Sequence, residues 1–287
     1  MKGKRGGRPK GKRGAKTRRL IRPLAICLLL AFIAFLIAAP QAPRPMAPNP
    51  QRPDAPGSGR VSRMPIRAAI VDQLGAHFPN QAFISMAEGL LRRAGFDVDV
   101  YGPEEVGVGL YGSLPAKGYK LIVFRVHAGI GDGLEGRPVG LFTTEAYSPF
   151  AYPREQLAKL IGPAQAFNGS EVVFAIAPRF IRDRSIMDYP GSVIILMGCF
   201  GLYGEELPKA FIERGASAVI GWTGLVDIAH TDEATLALLG RLAEGMTIEE
   251  AVSEAMRAVG PDPEGHSALG YYPIGRGGIR IRSRAVG

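Results

Sequence analysis

The chain has 287 residues, a formal net charge of +9 and a hydrophobic fraction of 46%, which is enough to bury a core of ordinary size. Eleven of its 35 lysines and arginines precede residue 23, where no acidic residue occurs, and the other 24 are balanced by 26 acidic residues. The rest of the chain is therefore close to neutral, which argues against a nucleic-acid-binding protein.

Three segments of different composition precede the first predicted strand. Residues 1–22 are rich in glycine, lysine and arginine and cannot form a core, so we expect a disordered tail. Residues 23–39 contain no charged residue and predict one transmembrane helix, with the lipid bilayer as its partner. Residues 40–65 contain eight prolines and predict an extended stalk.

The charge distribution predicts how this helix is oriented. Because the basic residues precede it, we expect a signal anchor with a cytoplasmic N-terminus and with residues 66–287 outside the cell, at the membrane. A cleaved signal peptide is the alternative. Pro40 follows the small residues at which cleavage would occur, and this favours the uncleaved anchor.

From Ile66 onwards, short apolar runs alternate with amphipathic segments. The last predicted helix begins with Thr247 followed by Glu250, the spacing of a capping box. Apolar strands separated by helices are typical of a mostly parallel sheet covered on both faces, so the sequence predicts an α/β domain. Strands are predicted at 66–72, 96–101, 119–127, 170–177, 192–199 and 216–222, and helices at 80–95, 205–215, 231–245 and 247–260.

His127 and Cys199 each end a predicted core strand. In a parallel sheet the carboxyl ends of the strands meet at one edge, where ligands bind. An imidazole next to a thiol can accept its proton and make it a nucleophile, and the amides of Cys199 and Gly129 are candidates to bind an oxyanion. The alternative is that Cys199 is a small buried hydrophobe and His127 a polar residue at a strand end.

Metal and phosphate sites have characteristic residue spacings that this sequence lacks. No pair of cysteines or histidines has the spacing of a zinc site, and no glycine-rich loop ends in the Lys-Ser/Thr of a phosphate-binding loop. We therefore expect neither a metal nor a cofactor.

The segments around His127 and Cys199 carry a resemblance. One strand ends in "FRVHAG", a later one ends in "ILMGC", and "LPKAFIERGASAVIGW" follows it. With histidine about 70 residues before cysteine, residues 66–260 resemble the caspase-like cysteine peptidases, on the side of the gingipains, clostripain and separase. The resemblance implies a three-layer sandwich, a Cys199 nucleophile, a His127 base and a peptide or protein substrate. Ala128 departs from the family, which has glycine directly after its histidine.

Three further residues are candidates for substrate binding. Strand 1 lies beside strand 3 in caspase-type sheets, which places Asp72 near the pocket for the substrate residue before the scissile bond, where a carboxylate favours arginine or lysine. Asp72 is equally consistent with orienting His127 or with a solvated strand end. Trp222, the only tryptophan, is a candidate wall of the same pocket or packs at an edge. Glu145, in the segment after strand 3, is the third candidate.

Together these observations predict a membrane-anchored, extracytoplasmic thiol protease, a hydrolase without a nucleic-acid partner. One alternative is a caspase-like binding or sensory module without catalysis, because Ala128 replaces a glycine and no activation site is recognisable. Another is an amidotransferase-like hydrolase, since "GCFG" is similar to a nucleophile elbow. In that case His230 would be the base, and Met197 stands where the elbow has a glycine.

Overall fold

The computed structural model describes residues 66–131, 137–184 and 187–281. The predicted tail, anchor and stalk therefore lie outside the described residues. In chain order the strands are β1 (Ile66–Asp72), β2 (Phe96–Tyr101), β3 (Leu121–Arg125), β4 (Ala128–Ile130), β5 (Val139–Ala146), β6 (Ile161–Gln165), β7 (Val172–Ile176), β8 (Val193–Leu196), β9 (Ala218–Trp222) and β10 (Leu269–Tyr272). The helices are α1 (Gln81–Arg93), α2 (Val108–Ser113), α3 (Pro153–Leu157), α4 (Pro178–Arg184), α5 (Glu206–Glu213), α6 (Ile228–Ala243) and α7 (Ile248–Val259).

The larger sheet has the strand order β10-β9-β8-β3-β1-β2. Its strands are parallel except β10, which runs antiparallel to β9. Alternate residues of each central strand enter two different hydrophobic clusters, as Val123 and Phe124 of β3 do. One cluster includes side chains of α1, α6 and α7, and the other includes α2, α4, α5 and the smaller sheet. The prediction of an α/β fold with a mostly parallel sheet is confirmed.

A second, antiparallel sheet inserts between β3 and β8, with the strand order β4-β5-β7-β6. The strand predicted at 170–177 is β7 and belongs to this sheet, whereas β4, β5 and β6 were not predicted from the sequence. One face of this sheet packs on the core through Leu141, Phe174 and Ile176. The opposite face is rich in glycine and alanine and remains partly exposed.

Helices α6 and α7 begin at residues whose side chains cap them. At α7 the Thr247 hydroxyl accepts from the Glu250 amide (3.2 Å) and the Glu250 carboxylate accepts from the Thr247 amide (2.8 Å), which confirms the predicted capping box. Helix α6 begins three residues earlier than predicted, because Asp227 caps it by accepting from the amides of Ala229 and His230.

No helix among the described residues combines the length and apolar character needed to cross a membrane.

Arg125, the last residue of β3, is completely buried. Its guanidinium donates to Asp72 (2.7 Å) and to both carboxylate oxygens of Asp232 in α6 (2.8 Å each). It also donates to the carbonyl of Phe78 (3.1 Å) in the loop after β1, and the ring of Phe83 in α1 lies 5.4 Å from its central carbon. Since a buried charge is tolerated only when it is paired, Arg125 fixes the positions of these elements at the carboxyl edge of the sheet.

Replacing Arg125→Met should therefore lower the free energy of unfolding by about 3–5 kcal/mol, because it leaves two buried carboxylates without a counter-charge. Urea denaturation measures this loss. Arg179→Met removes an exposed ion pair with Asp183 and should change stability by less than ~1 kcal/mol. Adding Asp72→Asn and Asp232→Asn to Arg125→Met should recover part of the loss. Equal effects of Arg125→Met and Arg179→Met would contradict this account.

Candidate active site

The structure brings the ends of β3 and β8 together. These strands are adjacent and parallel, with Phe124 opposite Leu196, so His127 and Cys199 each stand three residues beyond a paired position. The segments that follow these two strands touch at Gly198, where an added Cβ would lie 2.3 Å from the carbonyl oxygen of Val126. Only glycine permits this approach, so the "GC" sequence that follows β8 places the residue before Cys199 against the backbone on both sides of His127.

His127 lies in an aromatic environment. Its ring centroid is 5.9 Å from that of Phe78 and 6.0 Å from that of Phe142. Its backbone N–H donates to the side-chain oxygen of Gln73 (2.8 Å), while its Nε2 is buried without a hydrogen-bond partner among the described residues. Burial, with smaller contributions from His77 and Arg125, lowers the pKa of His127 to about 4. The imidazole is therefore neutral at pH 7.

Cys199 is half-buried, and its thiol donates to the carbonyl of Val226 (3.6 Å), in the loop between β9 and α6. Burial raises the pKa of Cys199 above its ordinary value, and the carboxylate of Asp262 contributes in the same direction. The thiol is therefore protonated at pH 7. In the part of the chain that the structure describes, no hydrogen bond joins it to His127.

The turn after Cys199 contains a strained residue. Phe200 has a φ of +63°, which is unusual for a bulky side chain, and its amide donates to the Gly224 carbonyl (2.8 Å). In a nucleophile elbow the nucleophile itself occupies the strained position, whereas here the strain falls on the following residue. His230, the base of the amidotransferase-like hypothesis, lies with its Nε2 3.1 Å from the Gly260 carbonyl.

The two candidate oxyanion donors differ in their hydrogen bonding. Gly129 lies opposite Gly140 in the antiparallel pair β4–β5. Two residues earlier in the same ladder, the Phe142 amide donates to the His127 carbonyl (2.9 Å). Hydrogen-bonded pairs recur at every second position of an antiparallel ladder, so Gly129 and Gly140 also form a hydrogen-bonded pair. The Gly129 amide is thus engaged within the sheet, while the Cys199 amide makes no hydrogen bond to another described residue.

Asp72 is buried and engaged by the protein. The residue is 7% exposed, and its carboxylate accepts from Arg125 (2.7 Å) and from the Gly75 amide (3.0 Å). A basic substrate side chain would have to compete with Arg125 for this carboxylate. A contact between Asp72 and substrate stays a prediction.

Trp222 and Glu145 also have partners within the protein. Trp222 is fully buried in the core, and its indole N–H donates to the Thr231 hydroxyl (2.9 Å). Glu145 accepts from the Val108 amide (2.9 Å) at the start of α2, and its hydrogen bond to Tyr152 raises the pKa of that phenol to about 12. Their predicted roles in substrate binding gain no support from these contacts.

Sequence reasoning missed the residues that surround His127. Gln73 directly follows the predicted strand that ends at Asp72, and a polar residue at the carboxyl end of a parallel strand is a candidate for the site from the sequence alone. Phe142 belongs to β5, which was not predicted, and Phe78 lies in a loop. Neither aromatic residue could be placed against His127 without knowing that β5 pairs with the segment after β3.

No protein-family model matches the sequence, and no curated protein matches it. Among the described residues, no group of three or more histidine, cysteine, aspartate and glutamate side chains is arranged to hold a metal ion.

The lowered pKa of His127 predicts a pH dependence of stability. Between pH 6.5, its ordinary pKa, and about 4, its pKa in the fold, the unfolded chain binds a proton that the native protein does not. The free energy of unfolding should therefore decrease as the pH is lowered. This residue should contribute up to about 2 kcal/mol of the loss between pH 7 and pH 5. Denaturation at the two pH values measures the difference.

His127→Phe should reduce that difference, since phenylalanine suits the aromatic environment and does not titrate. His266→Asn, at an exposed histidine with a φ of +51°, is the matched control and should leave the difference unchanged. A pH dependence that persists in His127→Phe would show that burial of this imidazole is not its cause.

Proposed function

We propose that this chain is a membrane-anchored, extracytoplasmic cysteine peptidase in which Cys199 is the nucleophile and His127 the general base. The observation that carries the proposal is that two adjacent parallel strands lead to these residues, with the two segments in backbone contact where Gly198 meets the residues around His127. The pairing of β1 with β3, and the coverage of both sheet faces, support the caspase-like three-layer sandwich that the resemblance implies.

The unpartnered nitrogen of His127 is further support. Nearly all buried polar groups in proteins are hydrogen-bonded, so a buried nitrogen without a partner needs an explanation. A general base must have this nitrogen open to accept a proton. The Gln73 side chain and the Phe142 amide hold the backbone of His127 on both sides. The rings of Phe78 and Phe142 flank the imidazole and restrict its orientation, although its Nε2 is not bonded.

The chemistry starts from two neutral groups. On substrate binding the thiol turns away from the Val226 carbonyl, and its proton passes to His127 Nε2 while Sγ attacks the carbonyl carbon of the scissile peptide bond. The Cys199 amide donates to the oxyanion that forms. The imidazolium then protonates the leaving amine, and the C–N bond breaks to give a thioester. Water, deprotonated by His127, hydrolyses the thioester and restores the thiol.

One set of observations favours the alternative of a non-catalytic binding module. The thiol donates away from His127, to Val226, and burial raises its pKa. The Gly129 amide is engaged in the β4–β5 ladder, which leaves Cys199 as the single oxyanion donor of the two predicted. A binding module would retain its peptide ligand when Cys199 is replaced and would never cleave it.

Covalent labelling distinguishes the two functions. A peptide chloromethyl ketone should alkylate Cys199 of the wild-type protein faster than it alkylates free cysteine, and Cys199→Ala should abolish labelling. His127→Ala should slow labelling by at least about 100-fold, because a positioned base contributes 10²–10⁴-fold. Mass spectrometry of the intact chain gives the rates. His230→Ala is the matched control and should label at the wild-type rate.

Labelling no faster than that of free cysteine, unaffected by His127→Ala, would reject the peptidase and favour the binding module. Loss of labelling in His230→Ala with retention in His127→Ala would instead favour the amidotransferase-like order of residues. Each variant is compared at equal folded fraction, measured by circular dichroism.

The membrane placement has its own support in the sequence. The basic residues that precede the predicted anchor oppose transfer of the N-terminus across a membrane. Protease added to intact cells should therefore digest the domain and leave an N-terminal tag protected. Digestion of the tag with the domain protected would reverse this topology. Release of the whole domain into the medium would favour a cleaved signal peptide.

A further inference from the structure

A cavity of about 220 Å³ is lined by Gln73 and Phe142, two residues that contact His127, and the proposed chemistry does not use it. At about 30 Å³ per molecule, this volume would hold about seven waters, which is room for one side chain. The loop after β1, the outer face of β5 and the turn before β7 form its walls. The lining includes Gln73, His77, Phe142, Thr144, Ser170 and Glu171.

Gln73 presents an unpaired donor to this cavity. The residue is only 2% exposed, and because its side-chain oxygen accepts from the His127 amide (2.8 Å), the orientation of the carboxamide is fixed. Its Nε2 then has no hydrogen-bond partner among the described residues, although the side chain lines the cavity. Among the described residues, Gln73 Nε2 is not one of the buried polar atoms that lack a partner, so its N–H groups are open towards the cavity, where a ligand oxygen can accept from them.

The other polar groups of the lining define what else the ligand must carry. The hydroxyls of Thr144 and Ser170 already donate, to the carbonyls of Val106 (3.2 Å) and Phe167 (2.9 Å). Glu171 is exposed at the rim and offers a carboxylate acceptor. A ligand carboxylate would be repelled by Glu171, and a ligand ammonium would leave the Gln73 donor unpaired. An amide has both a carbonyl acceptor and N–H donors.

We propose that this cavity binds an amide group of the substrate, with the amide carbonyl on Gln73 Nε2 and its N–H on Glu171. The aromatic rings of Phe142 and His77 would cover the flat amide and its apolar stem. The inference deepens the proposed function, and rests on it only in calling the ligand a substrate. The amide can come from a glutamine or asparagine side chain or from the peptide backbone.

Direct binding to the full-length chain tests this assignment without requiring turnover. Calorimetry would compare N-acetylglutamine methylamide with its glutamate and alanine analogues, the last of which carries backbone amides alone. Gln73→Glu keeps an acceptor for the His127 amide but removes the donor that faces the cavity. Gln81→Glu, at an exposed glutamine of α1, adds the same charge elsewhere and is the matched control.

We expect the glutamine compound to bind about 10-fold more tightly than the glutamate compound, and Gln73→Glu to weaken its binding about 10-fold, the effect of one lost hydrogen bond in a closed site. Gln81→Glu should bind like wild type. If the alanine compound binds as tightly as the glutamine compound, and Gln73→Glu weakens both, the cavity binds a backbone amide.

Binding of both amides that is unchanged in Gln73→Glu, or no measurable binding of either, would overturn the assignment. The same titrations on Cys199→Ala separate it from the peptidase proposal. If Cys199→Ala still binds the amide while the wild-type protein is not labelled, the amide site is supported and the peptidase proposal is rejected. Labelling of the wild-type protein without Gln73-dependent amide binding would support the peptidase and reject the amide site.

Discussion

Arg125 holds the carboxylates of Asp72 and Asp232 in a region from which water is excluded. Because each of these charges is costly to bury alone, the strand end, the loop after β1 and helix α6 can pack together only in the arrangement that pairs them. The residue next to Asp232 extends this constraint to the cysteine. Thr231 donates to the carbonyl of Met197 (2.9 Å) at the end of β8, so the turn that carries Cys199 is connected to the same helix.

The surroundings of His127 also depend on the ion pairs of Arg125, through the loop after β1. Arg125 donates to the carbonyl of Phe78 (3.1 Å), and the ring of Phe78 is one of the two that flank the imidazole. Gln73, in the same loop, accepts from the His127 amide and lines the neighbouring cavity. One side chain thus contacts the backbone of the proposed base and lines the proposed amide site.

Local sequence patterns predicted the strands with the clearest boundaries. The bounds of β1 and β2 are those predicted, 66–72 and 96–101, because apolar runs between turn residues specify a buried strand without further information. The capping box at Thr247 was likewise predictable from a spacing of three residues. The start of α6 was not, since it depends on Asp227, whose amide is held by the distant Asp262 (2.8 Å). Of the second sheet only β7 was predicted, because β4 has just three residues, β5 contains Gly140, and β6 contains glycine and proline, all of which weaken a strand pattern.

The sequence by itself determined the α/β class, and it placed His127 and Cys199 near the carboxyl edge of the sheet, because both follow from periodicity and from the rule that parallel strands end at one edge. The predicted strands 119–127 and 192–199 were too long, since β3 ends at Arg125 and β8 at Leu196. Only the tertiary structure decided which groups remain available there. The sequence places Asp72 at a strand end, but its partner Arg125 lies 53 residues away, and pairing across such a distance leaves no local pattern. The open nitrogens of His127 and Gln73 likewise result from burial by elements distant in the chain.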